Sequence, residues 1–322
     1  MRRRLLAILM LPALLIAGLF LPLSPRNLGS HPHPATGYDD AVARVHALEA
    51  EDDTRISPEC RSTLYTHGWK MPHVVVMFHG LTNCPAQFDS LAQLVFAKGA
   101  NVYVPRLPRH GFADRMTDEL ARSDAREWCA FTDSVLDAAQ GLGDTVTVVG
   151  LSVGGTLAAW AAQERKDVDR AVLIAPMIGV ARAPGAWTPV VARMTALLPN
   201  LFVWWDDRKK TELAGPKHVY PRFASRSVAA TLLVGGETMQ DARRRPPGAR
   251  RAAFVTVGGD AAVDNAAIAA LADLWSNSRP GSVTERFEFP VALELSHDVV
   301  DPEQAGGNPP VTYPVLLRAI GP

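Results

Sequence analysis

Five uninterrupted apolar residues, Val74 to Phe78, open the most regular part of the chain. Such a β-branched run, bounded by polar residues, fits a strand buried on both faces. Phe88 to Ala97 places its apolar residues at helical spacing, and Gly99 takes the C′ position behind it. Val102 to Val104 predicts a short strand stopped by Pro105, and Ser123 to Leu142 a helix ended by Gly143. Val146 to Val149 is a further buried strand, followed by a helix to about Arg165 and a strand from Ala171 to Ile174. Strand and helix alternating in units of this length predict an α/β fold, with a mostly parallel sheet and helices on both faces.

The alternation breaks between Pro176 and Arg251. This stretch carries Trp187, Trp204, Trp205, Tyr220, Phe223 and many prolines, with no clear strand. It reads as a cap insertion over about residues 177–251. Its aromatics either roof an apolar site or pack the insertion onto the domain. Within it, Val228 to Ala242 leans to helix, although Ala230 to Gly236 has a composition that also suits a strand. The sheet pattern resumes with Ala253 to Val257, a helix from Asn265 to Trp275, a strand from Thr284 to Phe289 and a helix after Pro310. Upstream, Val42, Val45 and Leu48 have helical spacing, so one domain is expected over residues 38–322. Residues 25–37, rich in Pro, His and Gly, read as a linker, with His31 and His33 as exposed linker residues rather than metal ligands.

Composition narrows the class. A chain of 322 residues can bury a core without staples. Thirty-three basic residues balance 33 acidic ones, which leaves no footing for a nucleic-acid partner. Arg243 to Arg245, Arg250 and Arg251 form a local cluster, but Pro246, Pro247 and Gly248 interrupt it, as in a solvated surface stretch. Arg2, Arg3 and Arg4 precede an uncharged apolar run from Leu5 to Leu23. Residues 1–24 therefore read as a signal peptide or an N-terminal membrane anchor. No A-x-A cleavage site follows, which favours the uncleaved anchor with residues 5–23 in the membrane. Either reading puts the protein outside the cytoplasm, periplasmic or facing outward from the membrane. The odd count of three cysteines then suggests one pair and one spare thiol. Cys60 and Cys84 flank a predicted strand in loop-like sequence and are the expected disulfide. Cys129 sits on an amphipathic helix, where a buried thiol acts as a small hydrophobe. No cysteine has metal-site spacing, and no metal is expected.

Gly150-Leu151-Ser152-Val153-Gly154 is a G-x-S-x-G between a buried strand and a helix. In that context the serine stands on a sharp turn at the carboxyl end of the sheet, ready to act as a nucleophile. A serine hydroxyl needs a base to take its proton. Of the histidines after Ser152, only His297 lies beyond the last predicted strand; His218 falls inside the insertion. The acid should follow the strand ending at Val257. Asp260 stands there, and is preferred to Asp264, which is placed to cap the next helix. Oxyanion donors are expected from the amides of Val153 and Leu81, with Gly80 letting the backbone come close and His79 bracing the loop.

Phe78-His-Gly-Leu-Thr82, Pro105-Arg-Leu-Pro-Arg-His-Gly111, Gly150-Leu-Ser-Val-Gly154, Gly259-Asp-Ala-Ala-Val-Asp264 and Ser296-His297 occur in this order. From Val74 to the C-terminus the chain resembles the carboxylesterase and monoacylglycerol-lipase-like branch of the α/β-hydrolases. The resemblance implies a serine hydrolase of small-molecule or lipid carboxylic esters that needs no cofactor. It puts the triad acid on Asp260, in the Asp-x-x-Val element, and the oxyanion donor after His-Gly on Leu81. It also implies a small helical cap. Acyl transfer, or thioester or amide hydrolysis, would use the same triad, and a membrane-anchored binding module without catalysis is the rival of a different class.

Overall fold

A computed structural model describes residues 28–206, 210, 213, 215–278 and 283–321. Among the described residues, seven strands form the main sheet: β1 (Thr63–Tyr65), β2 (Met71–Phe78), β3 (Asn101–Val104), β4 (Gly143–Leu151), β5 (Arg170–Ile174), β8 (Arg251–Val257) and β9 (Val283–Phe289). Their order is β1-β3-β2-β4-β5-β8-β9, and only β1 is antiparallel. In β2 the side chains from Val74 to Phe78 are fully buried. Each contributes about 1.5–3 kcal/mol of burial relative to an exposed position.

The main helices are α1 (Tyr38–Glu49), α2 (Asp89–Ala97), α3 (Ala125–Leu142), α4 (Val153–Glu164), α5 (Thr188–Leu197), α6 (Ser225–Ala242), α7 (Asn265–Ser278) and α8 (Pro309–Ile320). Helices α3, α4, α6 and α7 form the layer on one face, with α2 and α8 on the other, as right-handed crossovers between parallel strands dictate. Asp124 caps α3, its Oδ1 accepting from the amides of Arg126 (2.8 Å) and Glu127 (3.1 Å), which stabilises by about 1 kcal/mol.

The sequence-predicted elements appear with ends shifted by a few residues, and three features differ. The short edge strand β1 was not foreseen, because three half-buried residues carry no periodicity. The segment between β5 and β8 holds a two-stranded ladder, β6 (Phe202–Trp204) with β7 (Arg222–Ala224). Helix α6, inside the expected insertion, buries Val228, Ala230, Leu232 and Val234 in the helical layer and is the crossover that β5 and β8 require. The part that departs from the alternating layers is therefore residues 176–224.

The third difference concerns residues 28–37, expected as linker. Leu28 is buried, and its carbonyl accepts the Trp160 indole N–H at 2.7 Å. Asp133 accepts from Ser30 Oγ (2.5 Å) and the His31 amide (2.8 Å), and Asp137 from the His33 amide (2.9 Å). Both carboxylates also bind the fully buried guanidinium of Arg165, at 3.0 and 2.7 Å. The segment is thus a strap on α3 and α4, because a buried cation holds two acids that its backbone amides can reach. His31 and His33 are exposed. Among the described residues, no His, Cys, Asp and Glu cluster could hold a metal.

Cys60 and Cys84 form a disulfide, and Cys129 is a buried free thiol whose pKa burial pushes up. Among the described residues no helix is long and apolar enough to cross a membrane. The apolar run 5–23 lies outside the described residues.

Candidate active site

The parallel register brings the ends of β2, β4, β5 and β8 to one edge, with Phe78 beside Gly150 and Leu151 beside Ile174. Ser152 follows β4 directly, at φ 56° and ψ −111°. That left-handed region costs a non-glycine residue about 1–3 kcal/mol. The flanking glycines permit it: a Cβ at position 154 would lie 2.0 Å from the Phe78 carbonyl oxygen, and one at 150 would lie 2.1 Å from that of Gly154. The Ser152 amide donates to the Ile174 carbonyl at 2.9 Å, which ties the turn to the neighbouring strand. Val153 is the first residue of α4, so its amide has no acceptor within the helix and sits at the positive end of the helix dipole.

Asp260 stands three residues past β8. Its buried carboxylate accepts from His297 Nδ1 at 2.6 Å, and from the amides of Ala262 (2.8 Å) and Val263 (3.3 Å). Burial alone would raise the Asp260 carboxyl, but these bonds and the His297 charge outweigh it and hold it below the ordinary value. In the neutral ring, the bond from Nδ1 to the carboxylate leaves the lone pair on Nε2. Asp264 does something else: Oδ1 accepts the Ala266 amide (3.0 Å) and Oδ2 the Gly185 amide (3.1 Å), so it caps α7 and pins the 176–224 segment.

Ser152 and His297 line one cavity of about 500 Å³, together with Leu81, Met177, Trp205 and Tyr220. Catalytic hydrogen bonds between such a serine and histidine commonly tighten only when substrate is bound. The insertion's aromatics divide their work: Tyr220 and Trp205 wall the cavity, Phe223 packs on Trp205 at 4.6 Å, and Trp187 faces solvent. The Tyr220 amide donates to the Thr82 carbonyl (2.8 Å) and the Trp205 indole to Thr82 Oγ1 (3.0 Å), which seats that wall on the loop after β2.

The loop after β2 is held from three sides. His79 is fully buried. Its Nε2 accepts the Leu107 amide at 3.0 Å, which leaves Nδ1 as the donor to the Gly80 carbonyl at 2.9 Å. The Asn83 amide also donates to that carbonyl, at 3.2 Å. A trans peptide sets its N–H opposite its C=O, so anchoring the Gly80 carbonyl aims the Leu81 amide the other way. Burial, with His110 and Arg106 nearby, keeps His79 neutral by holding its pKa well down. Gly80 does not play the part expected of it. A Cβ there would meet only ordinary contacts, 3.6 Å from Gln87 and from the Leu151 carbonyl, and its amide is already bonded to Gln87 Oε1 at 2.7 Å.

Sequence reasoning missed Gln87, Asn83, Asp298 and Thr82 as groups of this site, whereas Trp205 and Tyr220 were among the insertion aromatics it offered as a roof. Asp298, beside His297, was the one with a visible signal. Gln87 had none, because its two partners are set by the fold and not by local pattern.

Similar proteins share this architecture. Ninety-seven residues are 30% identical to the thermostable monoacylglycerol lipase of Bacillus sp. (strain H-257), covering 30% of this chain and 38% of that protein. The soluble variant of monoglyceride lipase from Saccharomyces cerevisiae superposes with a TM-score of 0.59 at 12% identity, over 79% of this chain and 88% of that one. The monoacylglycerol lipase of Paleococcus ferrophilus gives 0.57 at 16% identity, over 75% and 92%. At such identities the superpositions speak for the fold alone. Residues 75–307, well over half of the chain, match the model of the alpha/beta hydrolase family, and the chain belongs to that family.

Proposed function

We propose that this protein hydrolyses carboxylic esters through an acyl-enzyme on Ser152. The observation that carries the reading is the His297–Asp260 hydrogen bond of 2.6 Å, at the cavity that also exposes the strained Ser152 turn. Ser152 Oγ attacks the ester carbonyl as His297 Nε2 takes its proton. Asp260 fixes the tautomer and stabilises the imidazolium that forms. The amides of Leu81 and Val153 receive the negative charge of the tetrahedral intermediate. His297 then protonates the departing alkoxide, and a water deprotonated by the same Nε2 releases the acid. No step calls for a cofactor.

The cavity volume falls in the range of small-molecule sites, and the monoacylglycerol lipase relative supports an ester with one acyl chain as substrate. The Arg2–Arg4 and 5–23 pattern, together with the Cys60–Cys84 bond, supports a place outside the cytoplasm, with residues 1–24 as signal or anchor. A fluorophosphonate probe and p-nitrophenyl esters of graded chain length test the chemistry. Labelling and turnover are expected in the natural protein and neither in Ser152→Ala; a Ser152→Ala protein that still turned over would end the proposal.

A further inference from the structure

We infer that Gln87 is a positioning residue that locks the loop carrying the Leu81 amide to the loop carrying His297. The inference rests on the ester-hydrolase reading above. Gln87 is buried, 2% exposed. Its side-chain amide is used at both ends: Oε1 accepts the Gly80 amide at 2.7 Å, and Nε2 donates to Asp298 Oδ2 at 2.6 Å. Glutamine suits this place because one planar group both accepts and donates.

Asp298 is the hub on the far side. Its Oδ1 accepts the amides of Val300 (3.1 Å) and Asp301 (3.0 Å), which turns the chain just after His297. Asn83 Nδ2 reaches Oδ2 at 3.4 Å, a second and weaker link from the same loop. Asp301 continues the network to His218 Nε2, at 2.8 Å. The donor that would hold an oxyanion and the base that would move the proton come from loops far apart in the chain, joined by a bond across 211 positions. Gln87 sets their separation. It touches no reacting atom and acts through two others, whose productive geometry must be held within about 0.5 Å.

The test exchanges the two ends of the bond. In Gln87→Met both hydrogen bonds disappear at nearly constant volume. The expected result is kcat lower by about 10²-fold with KM changed by less than about threefold, as for an angstrom-scale misplacement. In Gln87→Glu the Gly80 amide keeps its acceptor, but a second carboxylate faces Asp298, and a comparable loss is expected. The double variant Gln87→Glu/Asp298→Asn reverses the bond. The amide introduced at position 298 donates its N–H to the carboxylate introduced at position 87, while its oxygen still serves the amides of Val300 and Asp301. Net charge is as in the natural protein, and kcat should return to within about fivefold of it.

Overall packing alone would not produce a kcat loss at constant KM that the reversed pair repairs. A double variant no better than Gln87→Glu, or a Gln87→Met enzyme with undiminished kcat, would overturn the inference. Should Gln87→Met fail to fold, the exchange pair decides by itself. A natural protein that neither turns over nor takes the probe sinks the ester-hydrolase reading and this inference together; an active one indifferent to Gln87 sinks only the inference.

Discussion

His79 makes two hydrogen bonds with different jobs, and two substitutions separate them. Asparagine places its Nδ2 where the histidine has Nδ1, so His79→Asn keeps the donor to the Gly80 carbonyl and drops the acceptor for the Leu107 amide. Glutamine reaches the Nε2 position instead, so His79→Gln keeps the Leu107 acceptor and frees the Gly80 carbonyl. A buried amide left unpaired costs about 1–3 kcal/mol. In a domain of this size each kcal/mol lowers Tm by about 2–4 °C. His79→Asn should therefore melt several degrees lower with kcat within about threefold of normal. In His79→Gln the Gly80 carbonyl keeps only the Asn83 amide at 3.2 Å, and the Leu81 amide is free to swing. Complete loss of one oxyanion donor costs about 10²–10³ in kcat, so partial loss should cost about 10–10². Differential scanning calorimetry with steady-state kinetics on p-nitrophenyl butyrate gives both numbers. The reverse ranking, with Asn losing kcat and Gln losing stability, would refute the account of how this loop is aimed.

Other expectations follow from the same geometry. Asp260→Asn should lower kcat by about 10⁴-fold, whereas Asp264→Asn, which keeps the cap acceptor and gives up the bond from the Gly185 amide, should cost only about 1 kcal/mol of stability; equal kinetic effects would show the roles are misassigned. Arg165→Leu leaves Asp133, Asp137 and Asp167 around an apolar group, and chemical denaturation should register a loss of about 3–5 kcal/mol. His110 is buried, and burial lowers its pKa to about 4 from the usual 6.5. The unfolded chain therefore takes up a proton at this position below about pH 6.5 that the folded chain refuses until about pH 4, so folding stability should fall across that window by about 3 kcal/mol. His110→Asn keeps the donor to the Pro108 carbonyl and cannot titrate; its urea midpoint should vary less between about pH 4 and 6.5, and an unchanged slope would count against the assignment.

The sequence disclosed most where local chemistry and topology coincide. The Ser152 turn needs glycines at 150 and 154 because carbonyl oxygens lie about 2 Å from where a Cβ would stand, and that demand is written as a motif. His297 and Asp260 follow from chain order, and the Asp264 cap is legible because a cap bonds to amides two residues away. Gln87 and Asp298 show the opposite case. Each resembles an ordinary surface residue until the fold joins them across 211 positions. The 28–37 strap was hidden for a similar reason. Its Pro, Gly and His content looks like a tether, and only the partnership of Arg165 with Asp133 and Asp137 turns it into a docked segment. The β6–β7 ladder escaped because three-residue strands are too short for alternation to register.

Because that strap docks at Leu28, only residues 24–27 separate the domain from the apolar run that ends at Leu23. Five Cα steps span at most about 18 Å. A bilayer holding residues 5–23 would keep the domain on a leash shorter than its own diameter, unable to reach substrate far out in solution. Its catchment would be the membrane's immediate neighbourhood, where a tethered site meets its substrate at high effective concentration. Lengthening the chain at residues 24–27 with a flexible insert would slacken the leash without touching the cavity, and would separate the demands of reach from those of chemistry.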